Sequence, residues 1–242
     1  ATNLSFLIEI MQRYKNTKYK LYYAYCTLHI ANCINYYCCD CMKASKFVEA
    51  IGALGAVFTV KDASRIIGKS EKYASLYLSR LIGSGYVLRI EKGKYCLSNA
   101  SPYAVASNIV HPSYVSMLAA LKYHGLTSQN IYAIDVVTSA RHKDIEAMGY
   151  SIIFNKVPRR LMFGFYRNDE DNAFVAYPEK ALIDALLISN IPLPYIEEAF
   201  ENAEANGRLD KSKLMAYAKA TGSKALENKL VRLLHDKERV RA

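Results

Sequence analysis

No stretch of about 18 apolar residues occurs in the 242-residue chain, which excludes a membrane-spanning helix. Tryptophan is absent, and after residue 41 there is a single cysteine, Cys96, too few for a disulfide framework. Near the start, "LSFLIEIMQRYK" has Glu9 within its short apolar run and no small-residue cleavage site, so it does not read as a secretory signal, and a cytoplasmic location is expected. His111, His124 and His142 have no serine or cysteine partner at a catalytic spacing. A nucleotidyltransferase needs a Gly-Ser turn for phosphates ahead of spaced carboxylates that hold Mg²⁺. Asp169, Glu170 and Asp171 have no such turn before them, and "RNDEDN" reads as a polar turn between strands. The chain is therefore not expected to be an enzyme or to carry a cofactor or metal.

What is present is positive charge, and it is localised. The formal net charge is +10. Residues 1–41 hold four Lys and Arg against two Asp and Glu; residues 42–101 hold ten against four; residues 102–242 hold eighteen against sixteen. Most of the excess thus lies in one short stretch, the footprint expected for a polyanion partner, most often nucleic acid.

The first 41 residues differ from the rest. They contain Cys26, Cys33, Cys38, Cys39 and Cys41, seven tyrosines, and no glycine or proline. A zinc site calls for ligand pairs at regular spacing, which Cys38, Cys39 and Cys41 lack, and disulfides call for a secreted context. The favoured reading is an extension that contributes nothing essential. Asn, Tyr, Ile, Lys and Cys are what AT-rich non-coding DNA encodes when translated, and Met42 is expected to be the natural start.

Residues 42–101 read as a small basic domain. Phe47, Val48, Ile51 and Leu54 share one side of a helix from Met42 to Leu54 that Gly55 ends. "VFTV" leads into a second helix, with Thr59 as N-cap, Asp62 three residues on as in a capping box, Ala63, Ile66 and Ile67 buried, and Gly68 as the stop. Ser70 caps a third helix, "SEKYASLYLSRLIGSGY". Its apolar stripe is Ala74, Leu78, Leu81 and Ile82, with Tyr77 at the boundary. A hairpin follows, in which Tyr86, Leu88 and Ile90 alternate with Val87, Arg89 and Glu91, Lys92-Gly93 turns the chain, and "KYCL" returns with Cys96 as a small core residue. Three helices and a hairpin make a winged helix-turn-helix. The third helix is expected to enter the major groove of double-stranded DNA, with Ser70 at its start. Lys72 and Arg80 reach phosphates or guanine edges, and Tyr73, Leu76 and Ser79 touch base edges and thymine methyls. Arg89, Lys92 and Lys94 of the wing meet phosphates or the minor groove. A winged helix used only for protein contacts is the competing reading.

Residues 102–242 read as a mixed α/β domain with a helical C-terminal tail, giving an α+β chain overall. A short helix around "YAVAS" follows Pro102; a helix capped by Ser113 runs through "YVSMLAALKYHG"; "IYAIDVVT", "YSIIFNKV", "LMFGFYR" and "AFVAY" are strands; and Pro178 starts the helix "EKALIDALLI". Three further helices close the chain. Arg141, Lys143, Arg159 and Arg160 flank the strands as a candidate second basic surface for DNA, with a plain solvated surface as the competing reading. Glu179 and Asp184 are expected to be structural.

"FTVKDASRIIGKSEKYASLYLSRLIGSGYVLRIEKGKY", "NIVHPSYVSMLAALKYHGLT", "VVTSAR" and "VAYPEKALIDAL" together resemble the AbiEi family of abortive-infection antitoxins, also described as predicted transcriptional regulators of viral defence systems. The resemblance covers about residues 42 to 190. It implies a winged-helix domain that represses its own operon at inverted repeats. It also implies an antitoxin domain that counters a nucleotidyltransferase-like toxin without a stable complex, the type IV behaviour, in which case the basic surface of Arg141, Lys143, Arg159 and Arg160 could instead meet the toxin's substrate. An orphan regulator without a toxin partner is the alternative.

Overall fold

The computed structural model describes residues 42–188 and 191–241, and the readings made for residues 1–41 lie outside them. Helix α1 (Ala44–Gly52) leads to a short strand β1 (Phe58–Thr59), helix α2 (Val60–Ile67) and helix α3 (Glu71–Gly83). The Thr59–Asp62 capping box is formed: Asp62 N–H donates to Thr59 Oγ1 at 3.3 Å and Thr59 N–H to Asp62 Oδ2 at 2.9 Å. Gly68 closes α2 in the left-handed region with φ 70°, a conformation that costs glycine nothing. Strands β2 (Val87–Glu91) and β3 (Lys94–Leu97) form the hairpin.

"VFTV" is more than a connector. Phe58 and Thr59 pair with Tyr95 and Lys94, so the sheet has three antiparallel strands in the order β1-β3-β2. Phe58 is buried and edge-on to Phe47, which also meets Tyr77, and this aromatic cluster ties α1 to the sheet and to α3. The hairpin's expected alternation fails halfway. Val87 and Ile90 are buried, whereas Tyr86 and Leu88 are exposed, because a register shift between Arg89 and Glu91 turns Ile90 inward. A bulge of this kind reverses the two-residue period locally. Leu54 is exposed beyond the end of α1, and Ile82 sits at the edge of the stripe.

Helix α4 (Pro102–Asn108), capped by Ser101, opens the second part. Then come β4 (Ser113–Val115), α5 (Met117–Tyr123), β5 (Ala133–Thr138), β6 (Ile145–Ala147), β7 (Tyr150–Lys156), β8 (Phe165–Asn168) and β9 (Ala173–Ala176). Helices α6 (Pro178–Leu187), α7 (Leu193–Ala205), α8 (Lys211–Thr221) and α9 (Lys224–Arg241) follow. The sheet is mixed, with order β6-β7-β5-β4-β9-β8; β5 pairs with β7 and β4 with β9 in parallel. Among the described residues the chain is thus mixed α and β, with nine α-helices and two sheets.

Two expected elements change. Ser113 does not cap a helix: Ser113–Val115 is a strand between β5 and β9, and the helix starts at Met117. Tyr114 and Val115 are fully buried in that strand, and β-sheet pairing on both sides overrides the helical spacing of Val115, Leu118, Ala119 and Leu121. "LMFGFYR" is not one strand. A 3₁₀ turn at Arg159–Leu161 and Gly164, with φ 72°, precede β8, which is an edge strand four places from β7 in the sheet.

Helix α6 is buried on nearly all sides, charged residues included. Lys180 Nζ lies 2.6 Å from Asp184 Oδ1, whose Oδ2 accepts bonds from Tyr114 Oη at 3.1 Å and Ser116 Oγ at 2.7 Å. Glu179 Oε1 accepts from the Asp210 N–H at the start of α8, and its Oε2 lies 3.4 Å from Lys213 Nζ. Both carboxylates are therefore structural fasteners.

The described residues from Ala44 onward form one compact unit. Ile90 and Cys96 of the hairpin belong to the same apolar cluster as the six-stranded sheet, Cys96 Sγ lies 4.0 Å from Met148 Sδ, and Lys94 Nζ donates to the Ile109 carbonyl at 2.6 Å. Burial pushes the Cys96 thiol up to about 11, which keeps it unreactive.

Candidate nucleic-acid interface

The candidate interface is built on α3. Its first turn is closed by Ser70, whose Oγ accepts the Tyr73 N–H at 3.3 Å. Gly68-Lys69-Ser70 makes the turn from α2 tight, and Ser64 Oγ donates to the Lys69 carbonyl at 2.6 Å across it. One side of α3 is buried: Ala74 and Leu78 are fully covered and Leu81 nearly so. That burial fixes the helix about its axis and leaves Lys72, Leu76, Ser79 and Arg80 exposed on the opposite side, with Tyr73 half-buried beside them. The N-terminal end adds the partial positive charge of the helix dipole.

In the hairpin, Lys92 is exposed at the turn, where Gly93 has φ 82°. Arg89 is exposed, and its Nε donates to the Glu91 carbonyl at 3.4 Å. Lys94 is used differently. Its ammonium group meets Glu91 Oε1 at 2.8 Å as well as the Ile109 carbonyl, so it anchors the hairpin to the rest of the chain. Burial opposes ionisation of Glu91, but the Lys94 hydrogen bond and charge, with His142, hold its carboxyl below the usual range.

Arg141 and Lys143 are exposed in the loop between β5 and β6, on either side of His142. His142 Nε2 lies 3.4 Å from Glu91 Oε2, and its ring packs against Phe154 with centroids 4.4 Å apart. The structure therefore brings Arg141 and Lys143 next to the hairpin turn that bears Lys92. No sequence pattern signals this, because Glu91 and His142 are joined only by the docking of the hairpin on β6. Arg159 and Arg160 are exposed in the 3₁₀ turn, and Arg160 Nη1 donates to the Thr221 carbonyl at 3.2 Å, at the C-terminal end of α8, where a cation suits the dipole.

Asp169, Glu170 and Asp171 lie at the turn between β8 and β9, and Asp171 accepts from Tyr123 Oη at 3.3 Å. Among the described residues no three His, Cys, Asp or Glu side chains are grouped to hold a metal ion, and no helix is long and apolar enough to cross a membrane.

No curated protein matches the chain significantly by sequence. Among solved structures it is similar to the RV2827C protein from Mycobacterium tuberculosis, at 12% identity over 78% of this chain and 80% of that one, with a TM-score of 0.39. The model of a family described as "Transcriptional regulator, AbiEi antitoxin" matches residues 53–98, the stretch that carries β1, α2, α3 and the hairpin. The segment bearing the candidate interface is accordingly similar to the AbiEi transcriptional regulator and antitoxin family.

Proposed function

We propose that the chain is a DNA-binding transcriptional regulator, and that residues 42–101 act as a winged helix-turn-helix with α3 as the reading helix and β2–β3 as the wing. The observation that carries this is the exposed face of Lys72, Leu76, Ser79 and Arg80 set directly opposite a buried stripe. A helix held in this way presents donors to guanine edges and charge to phosphates, while Arg89 and Lys92 track the backbone. Lys94 supports the wing from within. Ser70 and Tyr73 complete the DNA-facing set.

The family type supports a second role. In this reading residues 102–242 are the antitoxin part, the chain represses its own operon at inverted repeats, and it counters a nucleotidyltransferase-like toxin in the cytoplasm without a stable complex. It is a regulator and not an enzyme, and it uses no cofactor.

The test keeps the chain intact, because Ile90 and Cys96 share a core with the later sheet. Wild type and the Lys72→Ala/Arg80→Ala variant are expressed beside a reporter under the chain's own promoter, and separately beside a nucleotidyltransferase-like toxin of the kind this reading calls for. The variant is expected to lose repression and keep protection. Full repression by the variant refutes the DNA-reading face; loss of protection together with repression refutes the two-role reading.

A further inference from the structure

We propose that Leu76 is a specificity determinant that reads the 5-methyl group of a thymine in the major groove, with a guanine read by Arg80 within about two base pairs; this rests on the reading of α3 as the DNA-contacting helix. Leu76 is 60% exposed, although Ala74 and Leu78, two residues away on either side, are fully buried. At about 100° per residue, Lys72 and Arg80 fall about 40° to either side of Leu76, and Tyr73 and Ser79 about 60°. Leu76 is therefore the centre of the exposed face and not its edge.

An exposed leucine is often part of a protein-docking patch, but a patch needs contiguous apolar neighbours. The nearest exposed apolar residue on this helix, Ile82, falls about 120° round the axis. Leu76 is instead ringed by ammonium, guanidinium and hydroxyl groups. Basic surroundings call for a polyanion, and an apolar centre calls for an apolar group on that polyanion. Base pairs display one such group in the major groove, the thymine methyl. Arg80 follows Leu76 by one turn, about 6 Å along the helix, which spans about two base-pair steps.

The experiment uses the full chain and duplexes selected by it from a random pool. Each thymine of the selected site is replaced in turn by deoxyuridine, which removes only the methyl group, and binding is measured for wild type, Leu76→Ala and Leu76→Gln. At one thymine per half-site, wild type is expected to lose about three- to fivefold, the effect of taking one methyl contact away. Leu76→Ala should lose nothing further at that thymine, and Leu76→Gln should select adenine there. Both variants should melt at the same temperature as wild type, since the side chain supports no core. Equal losses in wild type and Leu76→Ala at every thymine overturn the inference while leaving the reading helix in place. A selection that yields no consensus overturns both.

Discussion

Lys180 and Asp184 lie one turn apart on α6, with Nζ 2.6 Å from Oδ1, and both side chains are excluded from water. Such a pair is a liability once one half is removed. Asp184→Ala strands the Lys180 ammonium beside the Phe163 ring and leaves Tyr114 and Ser116 without their acceptor. The expected cost is about 3–5 kcal/mol. Replacing both residues, Lys180→Met with Asp184→Leu, should cost clearly less, because no isolated charge remains. Urea unfolding of the two variants measures this; a double variant as unstable as the single one would mean that the pair itself, and not its desolvation, stabilises the fold.

Gly164 marks the entry to β8. It has φ 72°, and a Cβ there would come within 2.9 Å of the Tyr217 ring and 3.1 Å of the Lys180 side chain. Gly164→Ala therefore combines backbone strain with overpacking and should destabilise by about 2–4 kcal/mol. A melting temperature equal to wild type would show that α8 yields easily at this point.

Asp135, in the middle of β5, gives a pH signature. Burial raises its carboxyl from 3.8 to about 6, opposed by the Asn155 bond at 3.3 Å and reinforced by Asp144. A folded-state value above the unfolded one favours the protonated form. The stability it contributes is full below about pH 4 and is lost as pH rises through 6. Asp135→Asn should therefore be more stable than wild type by about 1–3 kcal/mol at pH 7, and the gap should close toward pH 4. A gap independent of pH would remove Asp135 from the balance.

The two faces of α3 predict opposite phenotypes. Leu78→Ala opens a cavity beneath the helix and should cost about 2–5 kcal/mol of stability. Lys72→Ala and Arg80→Ala change exposed side chains and should leave the stability within about 1 kcal/mol of wild type. Thermal melts separate the two classes, and a large loss of stability in the Arg80 variant would show that its guanidinium supports the fold.

The caps and the stripe of α3 are legible in the sequence because they are local: Thr59, Asp62, Gly68, Ser70, Ala74 and Leu78 act within a turn or two of their own helix. The charge excess of residues 42–101 is equally local. What the sequence hides is set by pairing at a distance. Val115 looks helical until β5 and β9 lie on both sides of it, Ile90 looks like the end of an even alternation until the bulge turns it, and Lys94 looks like a phosphate contact until Glu91 and the Ile109 carbonyl engage its ammonium group. The proximity of His142 to Glu91, which sets Arg141 and Lys143 beside the hairpin turn, belongs to the same class.

The central claim is that α3 reads duplex DNA, and fluorescence anisotropy of the full chain on a selected duplex, titrated from low to physiological salt, tests it most directly. Each phosphate contact releases counterions, so wild-type affinity should fall steeply and linearly on logarithmic axes. Arg80→Ala should bind more weakly by about 1–3 kcal/mol and distinguish the selected duplex from a scrambled one less well. Affinity that ignores salt, or an Arg80 variant that keeps full, sequence-selective binding, would contradict the account.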